Sequence, residues 1–133
     1  MLQQYPAKIL LAFGEAVKGN QQIFQWLLEN GYAELAALAK AVSGSDEAFK
    51  WLLANKYPHL AALDSAIDES QKAYDWLHNH HFDFLIVFAD ACHNKQEAIA
   101  WFRKYDLEIF VYLARIIYDL RKNKTFDYHK LHF

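Results

Sequence analysis

Cysteine occurs once in the 133 residues, at Cys92, so no internal disulfide framework can form. Glycine occurs four times and proline twice, too few for a fold dominated by tight turns. The longest strongly apolar stretch, Phe84 to Ala89, has six residues and is closed by Asp83 and Asp90. A membrane span needs about 20. Charge of one sign is missing as well: 14 basic against 16 acidic side chains give a formal net charge of −2. No global basic field is there to hold a polyanion. The start, MLQQYPAKILLAFGEA, has no basic segment ahead of Ile9 to Phe13, which is too short for a secretory signal core. The expectation is a protein of a reducing compartment, most simply the cytoplasm, with no membrane association. Apolar residues are abundant: 54% hydrophobic and 17% aromatic excludes disorder, collagen and low complexity. A chain of this length makes one domain that buries roughly two-thirds of its unfolded surface.

A period organises everything else. The four tryptophans, Trp26, Trp51, Trp76 and Trp101, are 25 residues apart, and their neighbours keep the register. One residue after each come Leu27, Leu52, Leu77 and Phe102; two before come Phe24, Phe49, Tyr74 and Ile99. Six after come Tyr32, Tyr57, Phe82 and Leu107, and nine after Leu35, Leu60, Leu85 and Phe110. Twelve after come Leu38, Leu63, Phe88 and Leu113, and sixteen after Val42, Ile67, Cys92 and Ile117. Six apolar columns over four copies do not align by chance. Leu10, Phe13 and Val17 continue the last three columns into a half copy before Trp26.

Each copy reads as two short helices. Asn20, Ser45 and Ser70 sit six before their Trp, where a side chain can cap orphan amides; in the fourth copy the candidate cap is Asn94, one position earlier. The first helix ends near Asn30-Gly31 or Asn55-Lys56, and the second begins near Glu34 or Pro58. In the second, Leu35, Leu38, Ala39 and Val42 follow the spacing of a buried helix face. The first helix gathers its polar residues on one side and reads as the outer, half-exposed layer; the second, rich in alanine, reads as the inner one. One hairpin cannot cover its own apolar face, so copies must stack. The expected class is all-α: an α-solenoid, a right-handed superhelix of about four 25-residue helix-turn-helix repeats, with no sheet. Its units are a half repeat at 1–19, repeats at 20–44, 45–69, 70–93 and 94–118, and a C-terminal cap at 119–133.

The segments WLLENGYAELAAL and WLLANKYPHLAAL resemble tandem repeats of uncharacterised bacterial proteins, over about residues 14 to 117. The resemblance implies the fold and carries no activity with it. Neither the ankyrin signature nor the longer tetratricopeptide and HEAT units fit this period.

The copies serve as an internal reference: a residue that breaks its column is a candidate for something beyond packing. Cys92 sits in a column of Val and Ile and reads as a small core residue. The tryptophan column reads first as a spacer between copies and second as an aromatic ladder for an extended peptide. His78, His80 and His81 break their columns and, with Asp75, supply carboxylate and imidazole ligand types. The competing reading of Asp75, His78 and His81 is a solvated helix end, where imidazolium suits the dipole. Phe84, Val87, Ile109 and Tyr112 form a large apolar face where the earlier copies carry Glu34, Ala37, His59 and Ala62. Such a face demands a cover: the tail through Phe126, Tyr128, Leu131 and Phe133, a second subunit paired through the C-terminal half, or a ligand. Arg115, Arg121, Lys122 and Lys124 make a basic C-terminal stretch that suits phosphates. No phosphate loop, G-x-S-x-G, C-x-x-C or H-E-x-x-H is present. The leading expectation is a non-enzymatic scaffold, without cofactor, that binds a protein or peptide. A nucleic-acid-associated repeat comes second and a metal-dependent hydrolase third.

Overall fold

A computed structural model describes the backbone of residues 2–131 and the side chains of residues 2–123. It is all-helical, with no strand among the described residues. A 3-10 turn η1 (Leu2–Gln4) precedes α1 (Ala7–Val17). Then come α2 (Gln21–Glu29), α3 (Ala33–Val42), α4 (Asp46–Ala54), α5 (Pro58–Ile67), α6 (Gln71–Asn79), α7 (Asp83–Cys92), α8 (Gln96–Lys104) and α9 (Glu108–Leu131). No helix of the described residues is long and apolar enough to cross a membrane.

The caps follow from local chemistry. Asn20, Ser45 and Ser70 accept from the amides of Ile23, Ala48 and Ala73 and start α2, α4 and α6. The fourth copy differs from the expectation. Asn94 is not a cap; it closes the preceding turn at φ 61°, and Lys95 starts α8 with no side-chain cap bond. Every outer helix ends on a left-handed residue: Gly31, Lys56, His81 and Asp106 have φ between 60° and 88°. The amide of the next residue then reaches back to Leu27, Leu52, Leu77 or Phe102 at 2.8–2.9 Å, as in a Schellman turn.

Two layers result. The even-numbered outer helices bury one or two side chains each, always including the residue after the tryptophan column. The inner helices α3, α5 and α7 bury five or six. Each outer helix packs on the inner helices before and after it, α2 on α1 and α3, α4 on α3 and α5, α6 on α5 and α7, α8 on α7 and α9. The inner helices also pack in sequence from α1 to α9, and α9 packs back onto α1. The five form a closed ring around one continuous core.

Two consequences were outside the sequence reading. Leu2, buried to 1%, stands one residue after the tryptophan register and fills the column of Leu27, Leu52, Leu77 and Phe102. The last inner helix does not stop near residue 118 to yield a folded-back cap at 119–133; α9 is one helix through Leu131. Its end partner is α1, so the half copy covers the last copy. The side chains of Phe126, Tyr128 and Leu131, and all of Phe133, lie outside the described residues.

Candidate functional site

Phe84, Val87, Ile109 and Tyr112 do not form one bare patch. Phe84 is edge-on to Trp101, Phe102 and Phe110 at 6.2, 5.5 and 4.9 Å between ring centroids, an arrangement that aromatic quadrupoles favour. Val87 and Ile109 are half-buried against the core. Tyr112 alone is exposed, at 42%, and its hydroxyl accepts a hydrogen bond from Lys18 Nζ at 3.1 Å. The cover on this side of α9 is therefore α1, with Gly14 against Leu113, Ile116 and Tyr112.

The histidine group is dispersed by the turn that carries it. His80 stacks on Trp76 at 4.0 Å, and its Nδ1 lies 2.8 Å from the Trp76 carbonyl oxygen. Asn30 and Asn55 donate to the Trp26 and Trp51 carbonyls at the same distance, so His80 fulfils its column's task with a different side chain. His81 is the left-handed residue of the turn, and Asp75 accepts from Gln71. Among the described residues no group of three or more His, Cys, Asp or Glu is placed to hold a metal ion. Cys92 is fully buried, and burial pushes its thiol far above the usual range, away from the reactive thiolate.

The basic residues have local partners. Arg115 pairs with Asp119 at 3.1 Å, and Arg121 pairs with Asp68, 53 residues away, at 3.1 Å. Lys122 lies 6.0 Å from the centre of the Tyr118 ring. The Lys124 side chain lies outside the described residues. Arg121 also lines a mixed-charge cavity of about 490 Å³ with Asp46, Asp64, Asp68 and Ser45. Asp64 was legible as a column-breaker, since Gly14, Ala39, Ala89 and Ala114 hold the equivalent positions; the sequence reading passed over it.

The tryptophans brace their own copies, and Trp101 also meets Phe84 of the copy before it. Trp26 stacks on Tyr32 at 6.1 Å, Trp51 on Tyr57 at 6.1 Å and Trp76 on Phe82 at 5.8 Å, each within its own copy. The indole braces the turn between outer and inner helix and leaves one face to solvent. Trp26, Trp51 and Trp101 are 37–40% exposed, beside Leu28 at 41%, Leu53 at 50% and Tyr105 at 53%. Between α4 and α6, Leu53, Pro58, Ala61, Ala62 and Trp76 line a groove of about 280 Å³. Compared with protein-family models, curated proteins and solved structures, the chain finds no significant match.

Proposed function

We propose that this chain is a non-enzymatic helical-repeat module, four 25-residue units and a half unit closed into a ring instead of an open solenoid, that binds a peptide or a segment of another protein through its outer helices. The supporting observation is the recurrence of exposed large apolar side chains: Trp26 and Leu28, Trp51 and Leu53 in one register, and Trp101 with Tyr105, two positions off that register, in the fourth copy. Burial of those side chains in the outer helices themselves would stabilise the fold; instead they face water in three of the four copies, where aromatic and aliphatic anchors serve recognition. The groove beside Leu53 and Trp76 offers alternating grip and floor for an extended segment. A reducing, cytoplasmic setting belongs to the same proposal.

Display of random peptides against the immobilised full-length chain tests it. Enriched sequences should share apolar anchors and lose binding to a Leu53→Ser, Trp76→Ser double variant that keeps its helical circular dichroism. No enrichment, or enrichment indifferent to both substitutions, overturns the reading. Retention on heparin that collapses in modest salt would instead favour the nucleic-acid alternative.

A further inference from the structure

We infer that α1, with η1 ahead of it, is a strap that closes the ring across α9, and that the α9–α1 seam is where the molecule opens first. The inference goes beyond the proposed binding role and rests on a difference among the five junctions of the ring. At four of them an outer helix packs on both inner helices. None of the four outer helices packs in that way on both α9 and α1. Parting any other pair of inner helices therefore means stripping an outer helix as well, while at the seam only the short turn η1, with Leu2 in the outer column, stands beside the one helix pair. Sub-global openings follow the cheapest set of contacts.

The side chains at the seam are adapted to closure without a full outer helix. Fifteen residues after the tryptophan register the inner helices carry Ala16, Ala41, Ala66 and Ala91, but α9 carries Ile116. The alanines leave room for the residue two before each tryptophan: Ala41 and Phe49 line one cavity, Ala91 and Ile99 another. At the seam Ile116 supplies the volume from α9 itself. Gly14 answers it from α1, in a column otherwise held by Ala or Asp, letting the helices approach closely. A polar tie on the surface of the seam is the bond from Lys18 to the Tyr112 hydroxyl, on two exposed residues. A bond open to water holds weakly. The apolar seam is thus well packed yet singly supported, which suits a joint that closes firmly and opens as a unit.

Thiol labelling of the full chain in a Cys92→Ala background tests the strap. Leu113 and Leu63 share a column and are 1% and 0% exposed, so neither position reacts in the closed ring. Under native conditions the thiol introduced by Leu113→Cys should react at least about tenfold faster than the one introduced by Leu63→Cys, with similar global stability. Adding Gly14→Ala should speed labelling at 113 more than at 63, since opening the seam relieves the clash while α1 keeps the helix propensity that alanine adds. Equal rates at the two positions, each tracking global unfolding, would overturn the inference, as would Gly14→Ala accelerating both alike. If the Gly14→Ala chain does not fold, the two thiols in the presence of Gly14 decide alone.

Discussion

Gly14 in the first helix and Leu113 in the last meet so closely that a Cβ on Gly14 would lie 2.9 Å from Leu113 Cδ2 and 3.2 Å from Ile116 Cδ1. Two effects oppose each other at Gly14→Ala. Alanine gains about 1 kcal/mol of helix propensity over glycine. Overpacking a tight interior costs about 1–3 kcal/mol. Leu113 is itself buried to 1% and has little room to yield, so the clash wins. Urea unfolding should show a net loss of about 1 kcal/mol. A gain of that size would mean that the seam is loosely packed.

The turns carry a separate prediction. Lys56, Glu69, His81, Asn94 and Asp106 hold φ between 60° and 69°, a region where an L side chain crowds its own backbone. The equivalent positions in the first copies are Gly19, Gly31 and Gly44. Lys56→Gly and Glu69→Gly should each raise stability by about 0.5–1 kcal/mol, since glycine adopts this region without the Cβ penalty. Thermal melts of both single variants and the pair check it, and the two sites are on separate turns, so their effects should add.

How much of this was legible follows from what a period can and cannot carry. The alternation of outer and inner helices, the three caps at Asn20, Ser45 and Ser70, and the buried columns follow from short-range chemistry that repeats four times. Ring closure is different. It depends on curvature accumulated over all copies, and no column registers a small rotation per unit. The signs were local and small: Gly14 for Ala, Ile116 for Ala, and Leu2 in the leucine column. The misreading of Asn94 has a similar origin, since asparagine suits both a cap and a left-handed turn residue. His80 looked like a column-breaker because the column was judged by residue type; its bond to the Trp76 carbonyl is the one Asn30 makes to Trp26. Of the four residues read as one apolar face only Tyr112 is exposed, because the partners of Phe84 come from neighbouring helices; the tryptophan column, read second as an aromatic ladder, is exposed at Trp26, Trp51 and Trp101.

A missing cap can be restored. Lys95 begins α8 without a side-chain bond to the first-turn amides, whereas Ser45 and Ser70 supply one in their copies. Lys95→Ser should add about 0.5–2 kcal/mol by satisfying an orphan amide. Its ion pair with Asp90 is exposed on the lysine side, so its loss subtracts little. Ser45→Ala should cost a similar amount, and chemical denaturation of the two variants reads both signs.

Stability should fall on both sides of neutrality through identifiable groups. Burial pushes the His59 imidazole below its ordinary value, where it stacks on Phe82 at 5.3 Å. Neutral His59 is thus favoured by folding. Its contribution is present above the unfolded value of about 6.5 and is lost as pH falls through the lower folded one. Burial also raises Tyr5 and Tyr74, which donate to Glu34 at 2.6 Å and Asp90 at 3.1 Å. Their contribution is present below about pH 10 and is lost as pH rises through the folded values. Melting temperature against pH should lose its acid slope in His59→Phe and part of its alkaline slope in Tyr74→Phe. Unchanged slopes in both variants would locate the dependence elsewhere.

The tryptophan and the leucine beside it divide the labour of each outer helix, and paired truncations should show it. Leu52 is fully buried between α4 and its two inner neighbours; Trp51 is 37% exposed and braces Tyr57 from outside. Leu52→Ala removes a core side chain from a site walled by three helices, so it should cost about 2–5 kcal/mol. Trp51→Ala is the larger change in volume, and full burial would make it cost about 3–5 kcal/mol. More than a third of that residue is already in water, so its loss should cost less than that of Leu52, about 1–2 kcal/mol. Leu27, Leu77 and Phe102 occupy the same column and should repeat the order in their own copies. A tryptophan truncation costing more than its neighbouring leucine would show that the indole is packed between copies. In that case the exposed register would lose its standing as a binding surface.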